Sequence, residues 1–551
     1  MTASSSAEST PGIAPGTEAP PPERFPALDL LRGFALCGIL LMNVMTFAWP
    51  DAAYVSAALP YYAPDSIGPV ADPKEEAKAI AREEKGMPRL ERERRRRARL
   101  REPRPAWPLG EIRVCAVSGP ADLCEFVLAD LLVDNKMRTL FSMLFGAGVL
   151  LAAARPGTGR VGPGWLHYRR MAWLLLFGAL HGWLLWTGDI LFAYASVGLW
   201  LWPLRNCATR RLFTIAAVLF VIPLLLAAAA PAIIDRIDAR GRAVEARLEA
   251  LLAEADAHAP PAPADGAVGE PESPGESPPE ETDAEGTAPK EAAAPSSGPA
   301  DPLGWIDARL LDAHRGIATM RRRGARPELV TRTIREHREQ GYLAGVAERF
   351  RSLIGPQAGL LALGFLALGW PMVLGMALAK TGFLTGRLDA ATYGRLAGWL
   401  YLAGLPLTWL ALMLSLRGGI SIPTTLRVVL PLELVGSLLL SLAHAAALLW
   451  GWKTGRLGRL AEWLEAAGKM ALTNYLAQSL LCTILFSGWG LGLYGSVPRA
   501  GLAAIVACIW VVQLAWSGWW LARYRLGPME WAWRSLTSFA RLPLARPSLP
   551  T

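Results

Sequence analysis

Apolar residues along this chain fall into runs of about 18–24, the length at which an α-helix rising 1.5 Å per residue crosses a hydrocarbon core of roughly 30 Å. We draw spans over residues 28–49, 137–154, 171–188, 189–204, 211–233, 357–379, 393–415, 428–450, 469–487 and 501–522. The pattern predicts an all-α fold, a polytopic transmembrane helix bundle of about ten spans with two extracytoplasmic insertions. The third and fourth spans join through a tight Thr187-Gly188-Asp189 connection. Residues 120–135 place Asp122, Glu125, Asp130 and Asp134 among apolar residues and read as an amphipathic lead-in to the second span.

The segments between the runs divide the chain further. Residues 1–22 are rich in Ser, Pro, Ala and Gly and read as a disordered tail. Residues 23–233 form a first membrane half, interrupted by the insertion 51–135. The second insertion, 234–356, has a core over 258–300 with no aromatic residue, many Pro and Gly, and nine acidic residues against Lys290. Such a segment buries too little apolar area to offset its ordering entropy and reads as a linker. Residues 301–350 return to helical spacing through Trp305, Leu310, Leu311, Tyr342, Val346 and Phe350, and are expected along the membrane surface. Residues 357–551 supply five more spans and a tail.

Composition agrees with a bilayer as the main partner. Apolar residues make up 52% of the chain and charged residues 19%, against the roughly 25% usual in soluble domains. The 22 Trp suit a chain with many membrane–water interfaces. The net charge of +9 sits mainly in short loops: Arg155, Arg160, Arg169 and Arg170; Arg205, Arg210 and Arg211; Lys380, Arg387 and Arg395; Lys453, Arg456, Arg459 and Lys469. Lys and Arg are retained on the cytoplasmic side, so these loops and both termini belong there. The basic run Arg94-Arg95-Arg96-Arg97 lies in the first outside loop, and long loops translocate regardless of charge. No folded soluble domain carries the positive charge, which removes nucleic acid as a partner. The first apolar run is span-length and lacks a basic leader, so it reads as an uncleaved anchor.

Cysteine and histidine usage bounds the chemistry. Cys37, Cys482 and Cys508 fall within spans and read as small apolar fillers. Cys115 and Cys124 fall in the first outside loop, where a disulfide closing around Ser118-Gly119-Pro120 is expected. No CxxC pair or HExxH is present, so no metal site is expected.

Five blocks carry a resemblance. LDLLRGFALCGILLMN (Leu28–Asn43), KMRTLFSMLFGAG (Lys136–Gly148), LLLFGALHGWLLWTGDIL (Leu174–Leu191), GKMALTNYLAQSLLCTILFSGWGLGLYG (Gly468–Gly495) and RYRLGPMEWAWRSLT (Arg523–Thr537) occur in that order. Together they resemble the YeiB family, bacterial inner-membrane proteins with a domain of unknown function, across nearly all the spans. Span one is also distantly similar to transmembrane acyltransferases of the heparan-α-glucosaminide acetyltransferase type, which keep an Arg in an LRG block and an Asn eleven residues on. Here those are Arg32 and Asn43. That type also uses an extracytoplasmic His after span one, and this chain has no His before His167. The resemblance implies acyl-CoA as a co-substrate, with no bound cofactor, and an extracytoplasmic glycan or lipid acceptor.

The residues also speak for themselves. Arg32 lies one turn inside span one, three residues after Asp29, and either snorkels as a structural ion pair or binds a CoA phosphate. Asn43 stands about 16 Å deeper, a distance that suits an extended pantetheine arm. His181, about ten residues into span three, is either a histidine satisfied by a neighbouring helix or a general base. Asp189 lies eight residues later, within reach through substrate or water. His444 is in the inner half of span eight and ranks below His181. Asn474 and Gln478, one turn apart on span nine, serve as helix–helix glue or line the substrate path. Gly490, Gly492 and Gly495 spell GxGxxG after a membrane span, where an interfacial turn is the better reading. Two function classes follow: a membrane acyltransferase, and a transporter or channel for a small solute. Transporters often pair broken helices between related halves, and here Pro371 is the interior proline with no repeat between halves.

The loop-charge pattern makes a direct prediction. Reporter fusions at residues 163, 207, 389 and 455 report the cytoplasm, and fusions near residues 100 and 280 report the outside. A cytoplasmic signal at residue 280 would overturn this arrangement.

Overall fold

The structure, a computed structural model, describes residues 25–50, 119–153, 162–257, 307, 309–312, 314, 327–416 and 424–545. Arg94–Arg97, Cys115, Trp305 and the linker core 258–300 lie outside the described residues. The described chain is helical: α1 Pro26–Ala48, α2 Pro120–Leu132, α3 Lys136–Ala153, α4 Pro163–Leu184, α5 Leu191–Leu201, α6 Thr209–Ala257, α7 Pro327–Glu339 and α8 Tyr342–Lys380. The C-terminal part adds α9 Ala390–Leu416, α10 Leu430–Lys453, α11 Arg459–Lys469, α12 Ala471–Phe486, α13 Arg499–Arg523 and α14 Pro528–Ser538.

Each drawn span falls on a helix. Among the described residues seven helical segments are long and apolar enough to cross a membrane: Pro26–Ala48, Pro120–Ala153, Thr209–Leu251, Tyr342–Lys380, Ala390–Leu416, Thr425–Lys453 and Arg499–Arg523. The three spans outside that set have separate reasons. In α4 the length suffices, but Trp165, Trp173, Trp183, two His and two Arg dilute its apolar character. The eleven residues of α5 rise only about 16 Å before the 3-10 turn Trp202–Asn206 continues the path. The sixteen residues of α12 rise about 24 Å. Two helices outrun their drawn spans. Past residue 233, α6 continues through an Ala-, Arg-, Glu- and Leu-rich stretch of strong helix formers, and α8 begins at Tyr342 rather than residue 357. Pro371 is not the lone interior proline, since Pro356 in α8 and Pro406 in α9 are also carried without a break.

The chain divides into two units, and the boundary falls inside α6. One holds Met1–Val70, Pro108–Ala228 and Ala325–Thr551; the other holds Ala71–Trp107 and Ala229–Gly324. In the second unit Val244 and Leu248 pack with Leu311, and His314 lies between Asp238 at 2.8 Å and Glu245 at 3.3 Å.

Helices in the first unit approach to backbone contact where glycine allows it. A methyl group on Gly146 of α3 would overlap the Met372 carbonyl of α8, and one on Gly375 of α8 would overlap the Met143 carbonyl of α3. The α1–α11 crossing repeats the device, Gly33 against the Leu464 carbonyl and Gly468 against the Asp29 carbonyl. In lipid, where apolar burial no longer drives association, such close packing is a main source of helix–helix attraction.

Several charges inside the bundle are paired. Lys136 is fully buried, its Nζ 3.0 Å from Glu433 Oε1 and donating to the Asp130 carbonyl at 2.6 Å. Asn135, at φ 61°, and Ser437 also donate to Glu433. The acidic lead-in α2 meets α13: Glu125 pairs with Arg499 at 3.4 Å, and Asp122 accepts the Ala500 amide at 2.8 Å. Glu530 of α14 caps α12, accepting from the Leu472 and Thr473 amides and the Thr473 hydroxyl at 2.7, 3.1 and 2.6 Å. Burial pushes the Glu530 carboxyl up from its ordinary range, and these hydrogen bonds oppose that shift.

The crossings predict an asymmetry among glycines. Gly146→Ala and Gly375→Ala each lower stability by about 1–3 kcal/mol through overpacking. Gly398→Ala on α9, whose added methyl meets open space, leaves the melting temperature in detergent unchanged. Equal melting for all three variants would contradict the packing argument.

Candidate functional site

Helix α4 ends one turn beyond His181, whose carbonyl accepts the Leu185 and Trp186 amides at 2.9 and 3.1 Å. The chain reverses through Thr187-Gly188-Asp189 and enters α5. This reversal brings Asp189 back to His181, with Nδ1 and Oδ1 2.8 Å apart. The other carboxylate oxygen accepts the Phe192 amide at 2.6 Å, in the first turn of α5. Asp189 therefore caps one helix and orients a histidine on the preceding one. Gly178 makes the approach possible, because a methyl group there would overlap the Phe192 amide.

The pairing determines what the imidazole can do. With Nδ1–H donated to a carboxylate, the neutral ring carries its lone pair on Nε2. That Nε2 atom is buried and has no hydrogen-bond partner among the described residues. The side chain is 1% exposed and that of Asp189 is 4%, so neither pairs with bulk water. The Tyr475 ring of α12 lies 5.1 Å from the His181 ring, and Trp186 meets it edge-on at 6.5 Å. The Tyr475 hydroxyl accepts the Ile190 amide at 3.3 Å and so fixes the ring against the same turn.

Helix α8 braces the end of α4. Arg349 donates to the Trp183 and Leu184 carbonyls at 3.0 and 3.1 Å, a cation at a helix C-terminus. Buried Gln357 accepts from Trp183 Nε1 at 3.1 Å. The amphipathic α7 covers part of this end: Ile334 packs with Trp49, Trp186 and Phe486, His337 stacks on Tyr494, and Arg338 donates to the Tyr494 carbonyl at 2.7 Å. Burial, helped by nearby Arg349, holds the His337 imidazole below its ordinary pKa. The Gly490–Gly495 segment forms the receiving turn, with Gly492 and Gly495 at positive φ and the Gly495 amide donating to the Ala48 carbonyl.

The other residues marked in the sequence lie as follows. Buried Asn43 is on the face of α1 that runs from Leu36, packed with Tyr475, to Phe47, stacked on Trp186 at 4.2 Å. The same two rings lie beside His181. Arg32 pairs with Asp29 at 2.9 Å and lies beside Gly148, three turns back along α1. Asn474 donates to Ser517 and the Ala467 carbonyl, and Gln478 donates to Gln513, so both bond α12 to neighbouring helices. His444 bonds the Leu440 carbonyl within its own helix, between Phe34 and Tyr401. Cys124 is exposed on α2, while Cys115 lies outside the described residues. Among the described residues no three His, Cys, Asp or Glu side chains assemble as a metal ion requires.

Tyr475 and Gln357 were not among the residues picked from the sequence. Tyr475 adjoins Asn474 in the same block, but one residue along a helix turns about 100°, so the two serve different faces. Gln357 carries no local signal, since only its packing beside Trp183 gives it a role.

Apolar helices packed around a buried His–Asp pair define the class: a multi-pass helical membrane protein with an ionisable centre inside. The family of proteins of unknown function DUF418 matches residues 378–540. Along nearly its whole length the chain is similar to the uncharacterized protein YeiB of Escherichia coli (strain K12), 26% identical over 95% of this chain and 98% of that one. The uncharacterized protein YxaH of Bacillus subtilis (strain 168) is 24% identical over 95% and 96%. An uncharacterized 39.9 kDa protein from the amylase 3' region of Bacillus acidopullulyticus is 36% identical over 16% of this chain and 24% of its own. No solved structure matches. These comparisons show similarity to YeiB and YxaH along nearly the whole chain and a DUF418 match in its C-terminal part.

Proposed function

We propose that this protein is an inner-membrane acyltransferase that moves an acyl group from cytoplasmic acyl-CoA to an extracytoplasmic glycan or lipid acceptor. The observation that supports this most is His181, held through Nδ1 by Asp189 with a buried and unpartnered Nε2. A histidine oriented by a carboxylate is the usual form of a general base for a hydroxyl or amine. His181 Nε2 takes the acceptor proton, and the acceptor oxygen or nitrogen attacks the thioester carbonyl. The C–S bond then breaks, and His181 returns the proton to the leaving thiolate. Asn43 donates to the oxyanion that forms on the carbonyl oxygen. Arg32, paired on one side with Asp29 and still 28% exposed, holds a CoA phosphate. Asn474 and Gln478 act chiefly as bonds between helices in this account.

Purified protein in detergent, given acyl-CoA and candidate acceptors, tests the proposal by hydrolysis or acceptor acylation. His181→Ala lowers turnover by about 10²–10⁴-fold without loss of expression. Arg32→Ala chiefly weakens acyl-CoA binding, and His444→Ala is the milder control. Undiminished turnover in His181→Ala sinks the mechanism. Absence of any turnover in the wild type favours the solute-transporter reading, which proteoliposome uptake then examines.

A further inference from the structure

A second unpartnered group lies at the other end of α4. Arg169 is on its second turn, and the Nε and Nη2 atoms of its guanidinium are buried with no hydrogen-bond partner among the described residues. These two nitrogens share one edge of the guanidinium plane, the edge that grips carboxylate or phosphate oxygens in a parallel pair of bonds. One face of the plane is already covered, with the Phe539 ring centroid 3.7 Å from Arg169 Cζ. Phe539 ends α14 at φ 51°, in the left-handed region that bulky residues seldom adopt. Its helix is fixed on both sides: Glu530 caps α12, and Trp533 Nε1 donates to the Arg170 carbonyl at 3.1 Å. The C-terminal block thus holds an aromatic ring over Arg169 and leaves the buried donor edge without an acceptor.

We infer that Arg169 anchors a phosphate-binding site at this end of the bundle. A buried guanidinium edge without an acceptor is costly unless a ligand completes it, and a phosphate offers two oxygens at the required spacing. The surroundings favour an anion. Arg170 is adjacent, and the N-terminal end of α4 contributes its helix dipole. Arg205 lies over Trp202, which stacks on His167 of the same helix at 5.1 Å. Two sources carry the chemistry: the phosphates of CoA and the phosphodiester of an anionic lipid. Exposed Trp165 and Phe539 suit a headgroup layer as well as a soluble nucleotide. The site goes beyond the proposed acyl transfer and does not rest on it, because the His181 turnover assay reads a different end of α4.

The test uses full-length protein in maltoside detergent and phosphate-free buffer, with and without added phosphatidylglycerol or CoA. Melting temperature and CoA affinity are read for wild type, Arg169→Gln and Arg169→Lys. Without either ligand, Arg169→Gln melts no lower than wild type, since it removes a guanidinium edge that has no acceptor. Wild type is stabilised by CoA, by phosphatidylglycerol, or by both, and Arg169→Gln weakens that response by about tenfold or more in affinity. Arg169→Lys keeps part of it, because an ammonium retains the charge but not the paired donors. A response to CoA alone identifies the nucleotide phosphates, and a response to phosphatidylglycerol alone identifies the headgroup; either supports the site. Wild type responding to neither, or Arg169→Gln responding as wild type does, overturns it.

Discussion

Hydrocarbon offers no hydrogen bonds, so polar groups inside this bundle must find partners within the protein. Much of the architecture follows from that demand. Asp189 satisfies the start of α5, Glu530 the start of α12, and Arg349 the end of α4. Lys136 and Glu433 neutralise each other, although 297 residues separate them. The Lys136–Glu433, Glu530 and Arg349 contacts also set helix order, because they tie together elements far apart in the chain. Glycine crossings bring other backbones into direct contact, α3 with α8 and α1 with α11.

Against that background the groups left without partners carry information. Among the described residues the buried side-chain atoms lacking one belong to Arg169, His181 and Asn474. The Asn474 side chain still donates two hydrogen bonds through its nitrogen, so its spare carbonyl oxygen is a small cost of bonding helices. His181 and Arg169 differ, since in each the unmatched atoms are those that would act on a ligand. They lie near opposite ends of α4.

Much of the bundle is written locally in the sequence. Hydrophobic runs of span length locate the helices, and the Thr187-Gly188-Asp189 turn marks the α4–α5 reversal. What local pattern cannot supply is pairing across distance. A continuous helix would carry Asp189 more than two turns from His181, and only the reversal makes their direct hydrogen bond. Lys136 reads as the polar start of a span until Glu433 arrives from α10. Tyr475 sits beside Asn474 in the chain but serves a different face of the helix. Helix ends past the membrane boundary escaped for a simpler reason: apolar runs report hydrocarbon, and α6 stays helical after its apolar residues stop.

The central claim is that Asp189 holds the proton of His181 on Nδ1 and leaves Nε2 as a free base. Histidine-selective nitrogen NMR on the solubilised protein, with the signal assigned by loss in His181→Gln, reads this directly. In its neutral form the ring is expected to carry a protonated, strongly hydrogen-bonded Nδ1 and an unprotonated Nε2. A neutral ring with its proton on Nε2 would contradict it.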